Sequence, residues 1–242
     1  MDIVTGNFVL GDDGSRKVRI GNLQYSFVRG SGSGPSAPAL PEEGLVFYLP
    51  LDQRQETAET GQAMTYRGEN QYILTEGIKA AQFAGHSYGI NCPAADLPSG
   101  NFPRTISAWV YMTETGDYPY FIGYSNGDRG SNFGIGINGA TEIGARLGGD
   151  YGSGTDLPLN KWSHICATHN GSTFVMYLNG AQISSTTASL NTGTKTLSIA
   201  YNAGQGDTAN GFTGFLRSAR IYNRVLGASE IEALANEFTP TA

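Results

Sequence analysis

The fold is decided by five stretches: Asn160-Lys161-Trp162-Ser163-His164, Asn170-Gly171-Ser172, Tyr177-Leu178-Asn179-Gly180, Phe212-Thr213-Gly214-Phe215 and Ile221-Tyr222-Asn223-Arg224-Val225-Leu226. The two Asn-Gly pairs predict two-residue hairpin turns, because both central residues of such a turn need positive φ. Between them, Phe174, Met176 and Leu178 alternate with their neighbours, as in a strand with one buried face. This spacing predicts an antiparallel hairpin ladder over residues 162–186.

Working outward, strand-like runs recur with turns between them and predict a two-sheet all-β architecture. They lie at residues 45–51, 81–84, 105–111, 121–124, 133–137 and 143–147. We therefore predict an antiparallel β-sandwich of the jelly-roll type. One short helix is predicted near residues 229–238, with Ser229 and Glu232 as its capping box.

The composition agrees with an all-β protein and limits the classes of partner. The 242 residues include 34 glycines, 13 tyrosines and 11 phenylalanines, and only 15% are charged. A formal net charge of −6 without a Lys/Arg cluster argues against nucleic acid as the main partner. No run of 18 apolar residues is present, so no membrane span is expected.

Three regions follow from the shifts in composition. Residues 1–29 predict a β-meander arm, which is too small to fold alone and must lean on the main domain, another copy or a partner. Residues 30–43 predict a Gly/Ser/Pro linker, with a loop packed on the sandwich as the alternative. Residues 44–242 predict the sandwich.

The main domain resembles the laminin-G-like branch of the concanavalin A-like lectin/glucanase jelly-roll superfamily. The resemblance rests on Tyr48-Leu49-Pro50-Leu51-Asp52, Ala80-Ala81-Gln82-Phe83-Ala84-Gly85-His86-Ser87-Tyr88, Ile106-Ser107-Ala108-Trp109-Val110, Trp162-Ser163-His164, Tyr177-Leu178-Asn179-Gly180 and Arg220-Ile221-Tyr222-Asn223-Arg224-Val225-Leu226. It implies a jelly roll used mostly for glycan or protein recognition. The chain departs from the family at Leu216-Arg217-Ser218, where relatives usually carry an acidic pair.

No catalytic residues are predicted. Retaining glucanases of this fold resemble an E-x-D-x-x-E strand, which sets two carboxylates about 5 Å apart. This chain contains no Glu-x-Asp, and neither Glu114 with Asp117 nor Glu230 with Glu232 offers a paired acid and nucleophile. A hydrolase with displaced carboxylates stays open as an alternative.

Metal, disulfide and nucleotide sites receive little support from the sequence. The loop aspartates would permit one calcium ion, with solvated loop carboxylates as the alternative, because none of them has an EF-hand spacing. Cys92 and Cys166 are expected as free thiols. The Gly134-x-Gly136-x-x-Gly139 pattern precedes a turn and no helix, which argues against a dinucleotide site. His164 is expected in the sheet with a satisfied hydrogen bond.

The strongest candidate site is a set of aromatic and planar polar residues, the kinds that stack on sugar rings and bond their hydroxyls. It comprises Tyr118, Tyr120, Tyr124, Asn126, Asp128, Arg129, Arg146, Asp150 and Tyr151, with Asp117, Asn132, Tyr201 and Asn202 nearby in the pattern. The alternative is that the tyrosines pack the core and the Asn and Asp residues make turns.

These observations favour a non-catalytic recognition module with a glycan or surface polysaccharide as its ligand. The N-terminus lacks a basic start followed by an apolar stretch, so no secretory signal is predicted. An arm carrying a lectin-like head resembles phage fibre or head-decoration subunits, and residues 1–29 are then expected to drive homo-oligomer or partner assembly. A structural module without a ligand is the alternative.

Overall fold

The chain divides into two units, Met1–Ala37 and Pro38–Ala242. The computed structural model describes residues 39–116, 118–201 and 211–238, together with three backbone strands of the first unit. Those strands are β1 (Phe8–Leu10), β2 (Arg16–Ile20) and β3 (Leu23–Phe27). They pair antiparallel in the order β1-β2-β3, the meander that the sequence predicts.

The second unit is a sandwich of two antiparallel sheets. Its strands are β4 (Leu45–Leu49), β5 (Thr65–Arg67), β6 (Gln71–Thr75), β7 (Ile78–Ala84), β8 (Gly89–Pro93), β9 (Arg104–Met112), β10 (Tyr120–Ser125), β11 (Phe133–Asn138), β12 (Glu142–Arg146), β13 (Asp150–Asp156), β14 (Ser163–His169), β15 (Thr173–Leu178), β16 (Ala181–Thr187), β17 (Thr196–Ile199) and β18 (Thr213–Tyr222). One sheet has the order β13-β12-β11-β10-β17-β8-β5. The other has β16-β15-β14-β9-β18-β7-β6, with β4 also pairing to β18.

The core lies between the sheets and follows from strand alternation. On β9, Ile106, Ala108 and Val110 point into the core, while Trp109 belongs to a second apolar cluster on the outer face. On β10 a β-bulge breaks the alternation between Tyr120 and Ile122. The extra residue turns both Phe121 and Ile122 into the core, and Tyr120 is left on the outer face.

The hairpin ladder is confirmed, with one difference at its first turn. Asn179 and Gly180 form the predicted two-residue turn, with φ of +50° and +82°. The other connection has three residues, Asn170 to Ser172, and only Gly171 has positive φ. The Asn170 side chain makes this loop, because its Oδ1 accepts the backbone N–H groups of Ser172 and Thr173 at 3.0 and 2.8 Å.

The helix α1 (Ala228–Ala235) forms as predicted, but its capping box lies two residues earlier than expected. The Glu230 carboxylate accepts the Gly227 N–H at 2.8 Å, and the Glu230 N–H donates to the Gly227 carbonyl at 3.1 Å. The predicted Ser229–Glu232 box was therefore wrong.

The segment at residues 39–43, which the sequence places in the linker, packs on the sandwich. Tyr222 donates from its hydroxyl to the Pro41 carbonyl at 3.1 Å, and Leu40 packs on the cluster beneath α1. The Arg224 Nε donates to the Glu43 carbonyl at 2.8 Å. Residues 39–43 therefore form a loop packed on the sandwich, which was the alternative to a linker.

His164 differs from its prediction. It lies on the outer face of β14, 1% exposed, and neither ring nitrogen has a hydrogen-bond partner within the described part of the chain. Burial, reinforced by the nearby positive charge of Arg220, lowers the pKa of His164 to about 3. The imidazole is therefore neutral at any ordinary pH. Cys92 and Cys166 are free, buried thiols, as predicted.

Candidate functional site

The site begins with a row of residues that crosses the outer face of the seven-stranded sheet. Cα pairing runs from Arg146 to Gly134, then to Gly123, Ser198 and Asn91. Their strand neighbours face the core, so these five positions face outward. Four strand spacings of about 4.8 Å make the row about 19 Å long.

The central positions of the row are glycines, and the Tyr120 ring covers them. A Cβ added to Gly134 would lie 2.7 Å from Cζ of Tyr120, and one on Gly123 would collide with the same hydroxyl end. Beside them, the Pro119 carbonyl covers Gly136. The glycines are required because the Tyr120 ring lies directly on the backbone. Tyr120 is 2% exposed, and it fills the space that glycine leaves.

Arg146 stands at one end of the row and is almost fully buried. Its Nε pairs with the Asp150 carboxylate at 3.1 Å. Its Nη2 donates to the carbonyls of Ile137 at 2.8 Å and Tyr118 at 3.4 Å. Its Nη1 has no partner in the residues that the structure covers. Burial lowers the pKa of Arg146, and this effect outweighs the nearby Asp150 carboxylate, which raises the pKa.

Tyr118 completes this end of the row. Its ring lies over the guanidinium of Arg146, 5.2 Å from centroid to Cζ, and the residue is 39% exposed. Its φ of +57° is uncommon for a residue other than glycine. Bonds from its N–H to the Gly139 carbonyl and from Arg146 to its own carbonyl hold it there. Strained residues of this kind concentrate at functional sites.

Two predicted tyrosines are not available as binding surfaces. Tyr124 faces the core, 1% exposed, where its hydroxyl donates to the Pro98 carbonyl at 2.7 Å and accepts from Arg104 at 3.1 Å. Tyr120 lies on the outer face but is covered. The sequence pattern gave both the same weight as Tyr118, and their burial removes them as stacking platforms.

The other predicted residues do not form one cluster with Tyr118. Tyr151 neighbours Asp150 on β13 and so projects from the opposite face of that strand. Asn126 organises a separate loop, in which its Oδ1 accepts the Asp128 N–H at 2.9 Å. In that loop, the backbone of Gly130 lies against the β12–β13 turn at Gly148. The side chain of Arg129, together with Asp117 and Asn202, falls outside the described residues.

Two further features were not predicted from the sequence, one on this face and one on a loop elsewhere. Asn91, at the far end of the row, donates from its amide to the Tyr201 hydroxyl, and its buried Oδ1 has no hydrogen-bond partner among the described residues. Phe102 is 67% exposed on the loop before β9. Its neighbour Asn101 donates from its side-chain amide to the Gly171 carbonyl and accepts the Leu190 N–H. The Gly-x-Gly spacing in β11 was the sequence signal that could have predicted that the centre of the row is covered.

Carboxylates are scattered over the described residues. Glu230 is held by Arg224 at 2.6 Å and Asp52 by Arg217 at 2.9 Å, and Glu114 is exposed in a loop. Over residues 39–116, 118–201 and 211–238, no three His, Cys, Asp or Glu side chains come together as a metal site would need. Within the same residues no helix is long and apolar enough to cross a membrane.

The sandwich has the same fold as domains of several solved structures. Domain 4 of AbnA, a GH43 extracellular arabinanase from Geobacillus stearothermophilus solved with arabinotriose, is 20% identical with a TM-score of 0.61, covering 81% of this chain and all of that one. The binding domain of Paraclostridial mosquitocidal protein 1 is 18% identical with a TM-score of 0.60, covering 80% of this chain and 52% of that one. The binding domain of botulinum neurotoxin DC, solved with SialylT, is 15% identical with a TM-score of 0.60 and coverages of 80% and 51%.

Sequence comparison adds the family. No curated protein sequence matches the chain. Residues 84–232 match the laminin-G-type model of the concanavalin A-like lectin/glucanases superfamily. These residues make up more than half of the chain and include β9 to β18, and the chain therefore belongs to this superfamily.

Proposed function

We propose that the sandwich is a non-catalytic carbohydrate-binding module and that Tyr118, Arg146 and Asp150 form its binding site. One observation carries the proposal. An exposed aromatic ring stands beside an exposed carboxylate, and both are fixed by one buried guanidinium. The Asp150 side chain is 53% exposed, so its free oxygen lone pairs face solvent.

The chemistry of this trio suits a sugar. The apolar face of a pyranose or furanose ring stacks on an aromatic ring, and sugar hydroxyls donate to carboxylates. Because Arg146 contacts both Tyr118 and Asp150, the ring and the carboxylate keep a fixed separation before the ligand arrives. Such preorganisation reduces the entropy lost on binding.

The same residues give no support for hydrolysis. Asp150 is the one carboxylate of the trio, and it is engaged by Arg146, whereas glycoside hydrolysis needs an acid and a second carboxylate across the scissile bond. The fold relatives that are binding domains support recognition by analogy of fold.

The first experiment is a glycan array probed with the full-length chain, in calcium and again with chelator. We expect binding that Asp150→Asn weakens about tenfold, which corresponds to about 1.4 kcal/mol, because the carboxylate loses a charge-assisted bond. Binding that disappears with chelator would place a calcium in the site's loops and add it to the proposal. A blank array under both conditions would contradict carbohydrate binding and favour a structural module.

We further propose that the first unit is an assembly arm, as in a virion fibre or head-decoration subunit. The three-stranded sheet in the unit Met1–Ala37 supports this, since a unit of fewer than about 40 residues usually needs a partner to be stable. Light scattering after gel filtration should show an oligomer for the full chain. A strictly monomeric full chain would contradict the assembly role and leave the binding module unaffected.

A further inference from the structure

Tyr120 covers the centre of the row of outward-facing positions, and this limits which part of a glycan the site can accept. At the Arg146 end of the row, Tyr118 and Asp150 carry exposed side chains. Towards the middle of the sheet, the Tyr120 ring occupies the space above Gly134 and Gly123. In the other direction β13 is the last strand of the sheet.

A sugar chain lying across the strands would need the space that Tyr120 occupies. The ring is 2% exposed and lies on backbone, so it has no room beneath it into which to retreat. The Pro119 carbonyl closes the adjoining position over Gly136, and the bond from the Ile137 N–H to that carbonyl, at 2.7 Å, holds it there. Across the strands, ligand contacts are therefore limited to Tyr118 and its polar neighbours.

We infer that the site binds the terminal unit of a glycan, such as the tip of a branch, and excludes the interior of a linear chain. This inference rests on the proposed function and specifies its ligand class. Tyr120 is the specificity-determining residue, because it blocks the row without touching the bound sugar. Burial raises the pKa of the Tyr120 hydroxyl, which agrees with a ring held in place and not offered to solvent.

The test is the dependence of affinity on chain length. Arabino-, cello- and manno-oligosaccharide ladders are titrated against the full-length wild-type chain at equal concentrations of chain ends. For the ladder that binds, we expect dissociation constants that change less than about twofold between the disaccharide and the hexasaccharide. If further units made contact, each hydrogen bond would tighten binding by about twofold to tenfold.

A pair of variants tests the role of Tyr120. Tyr120→Ala uncovers Gly123 and Gly134 and should make affinity rise with chain length. Tyr120→Phe keeps the ring and should behave as the wild type. If Tyr120→Ala fails to fold, the wild-type ladder still decides, together with a hexasaccharide capped at its non-reducing end, which should bind at least about tenfold more weakly.

The outcomes separate this inference from the proposed function. Affinity that rises steadily with length in the wild type, or a capped hexasaccharide that binds as well as the free one, would overturn terminal recognition while carbohydrate binding stands. No binding to any member of any ladder, after a blank array, would overturn the proposed function itself and the inference with it.

Discussion

Replacing Glu237 by glutamine tests how the end of the chain is fastened to the sandwich. Glu237 follows α1, and its two carboxylate oxygens meet Arg220 Nη1 and Nη2 at 2.6 and 2.7 Å. The side chains are 10% and 5% exposed. Burial lowers the pKa of Arg220, but the bonds to Glu237 outweigh this and leave it above its ordinary value. The substitution leaves Arg220 charged and buried, with no other acidic partner among the described residues.

The magnitude follows from that geometry. Breaking a buried pair by removing one partner costs about 3–5 kcal/mol, and a glutamine oxygen retains one of the two bonds, so we expect a loss of about 2–3 kcal/mol in the free energy of unfolding. Arg220 also keeps its cation–π contact with Tyr48, 4.3 Å from Cζ to the ring centroid. This contact is a second reason for the lower expected loss.

Urea unfolding followed by tryptophan fluorescence measures the loss. The chain has two tryptophans, and both are buried: Trp109 donates from Nε1 to the Leu234 carbonyl of α1, and Trp162 lies in the same outer cluster. Glu232→Gln, on the exposed side of the same helix, is the matched control and should change stability by less than about 0.5 kcal/mol. If Glu237→Gln were as stable as Glu232→Gln, the pair would not fasten the chain end and the reasoning would be refuted.

Three further substitutions have effects that the structure fixes in sign. For His164→Leu we expect a free energy of unfolding at pH 7 that lies between the wild-type value and about 1 kcal/mol above it, because the substitution removes two unpartnered buried nitrogens. Since the wild-type imidazole has a pKa of about 3 when folded and 6.5 when unfolded, wild-type stability should fall as pH drops from 6.5 towards 3, and unfolding at pH 7 and 4 should show a smaller fall in the variant. Glu230→Gln should cost about 0.5–1 kcal/mol at pH 7, discounted for partial exposure; the bond to Arg224 lowers the pKa of Glu230 to about 2, so a pH series should show the difference vanishing between pH 4.5 and 2. Gly134→Ala should cost about 1–3 kcal/mol in a thermal melt, because its Cβ would meet Tyr120, and an unchanged melting temperature would contradict the covered row.

Strand periodicity carried most of the fold prediction, because a strand with one buried face alternates visibly along the sequence. Phe174 and Met176 are buried and Val175 between them is less so, as the pattern requires. The Asn-Gly signal predicted both turns, but it does not distinguish a two-residue turn from a three-residue loop. Side-chain bonds from Asn170 make that choice in the folded chain.

The candidate site was harder to predict, because tyrosine is equally at home in a core and on a surface. Tyr118, Tyr120 and Tyr124 lie within seven residues, yet one is exposed, one is covered and one is in the core. A bulge after Tyr120 and a positive φ at Tyr118 separate them, and neither is visible in a single sequence. The pairing of Arg146 with Asp150 was predictable, since four residues span a short turn between strands.

The central claim is that Tyr118 contacts the sugar, and one titration series tests it directly. The glycan that binds best on the array is titrated against wild type, Tyr118→Ala, Tyr151→Ala and Phe102→Ala. Tyr151 is a matched control, 38% exposed against 39% for Tyr118, on the opposite face of β13. We predict that Tyr118→Ala alone weakens binding, by at least about tenfold, or about 1.4 kcal/mol. Wild-type affinity in Tyr118→Ala, or an equal loss in Tyr151→Ala or Phe102→Ala, would contradict the account.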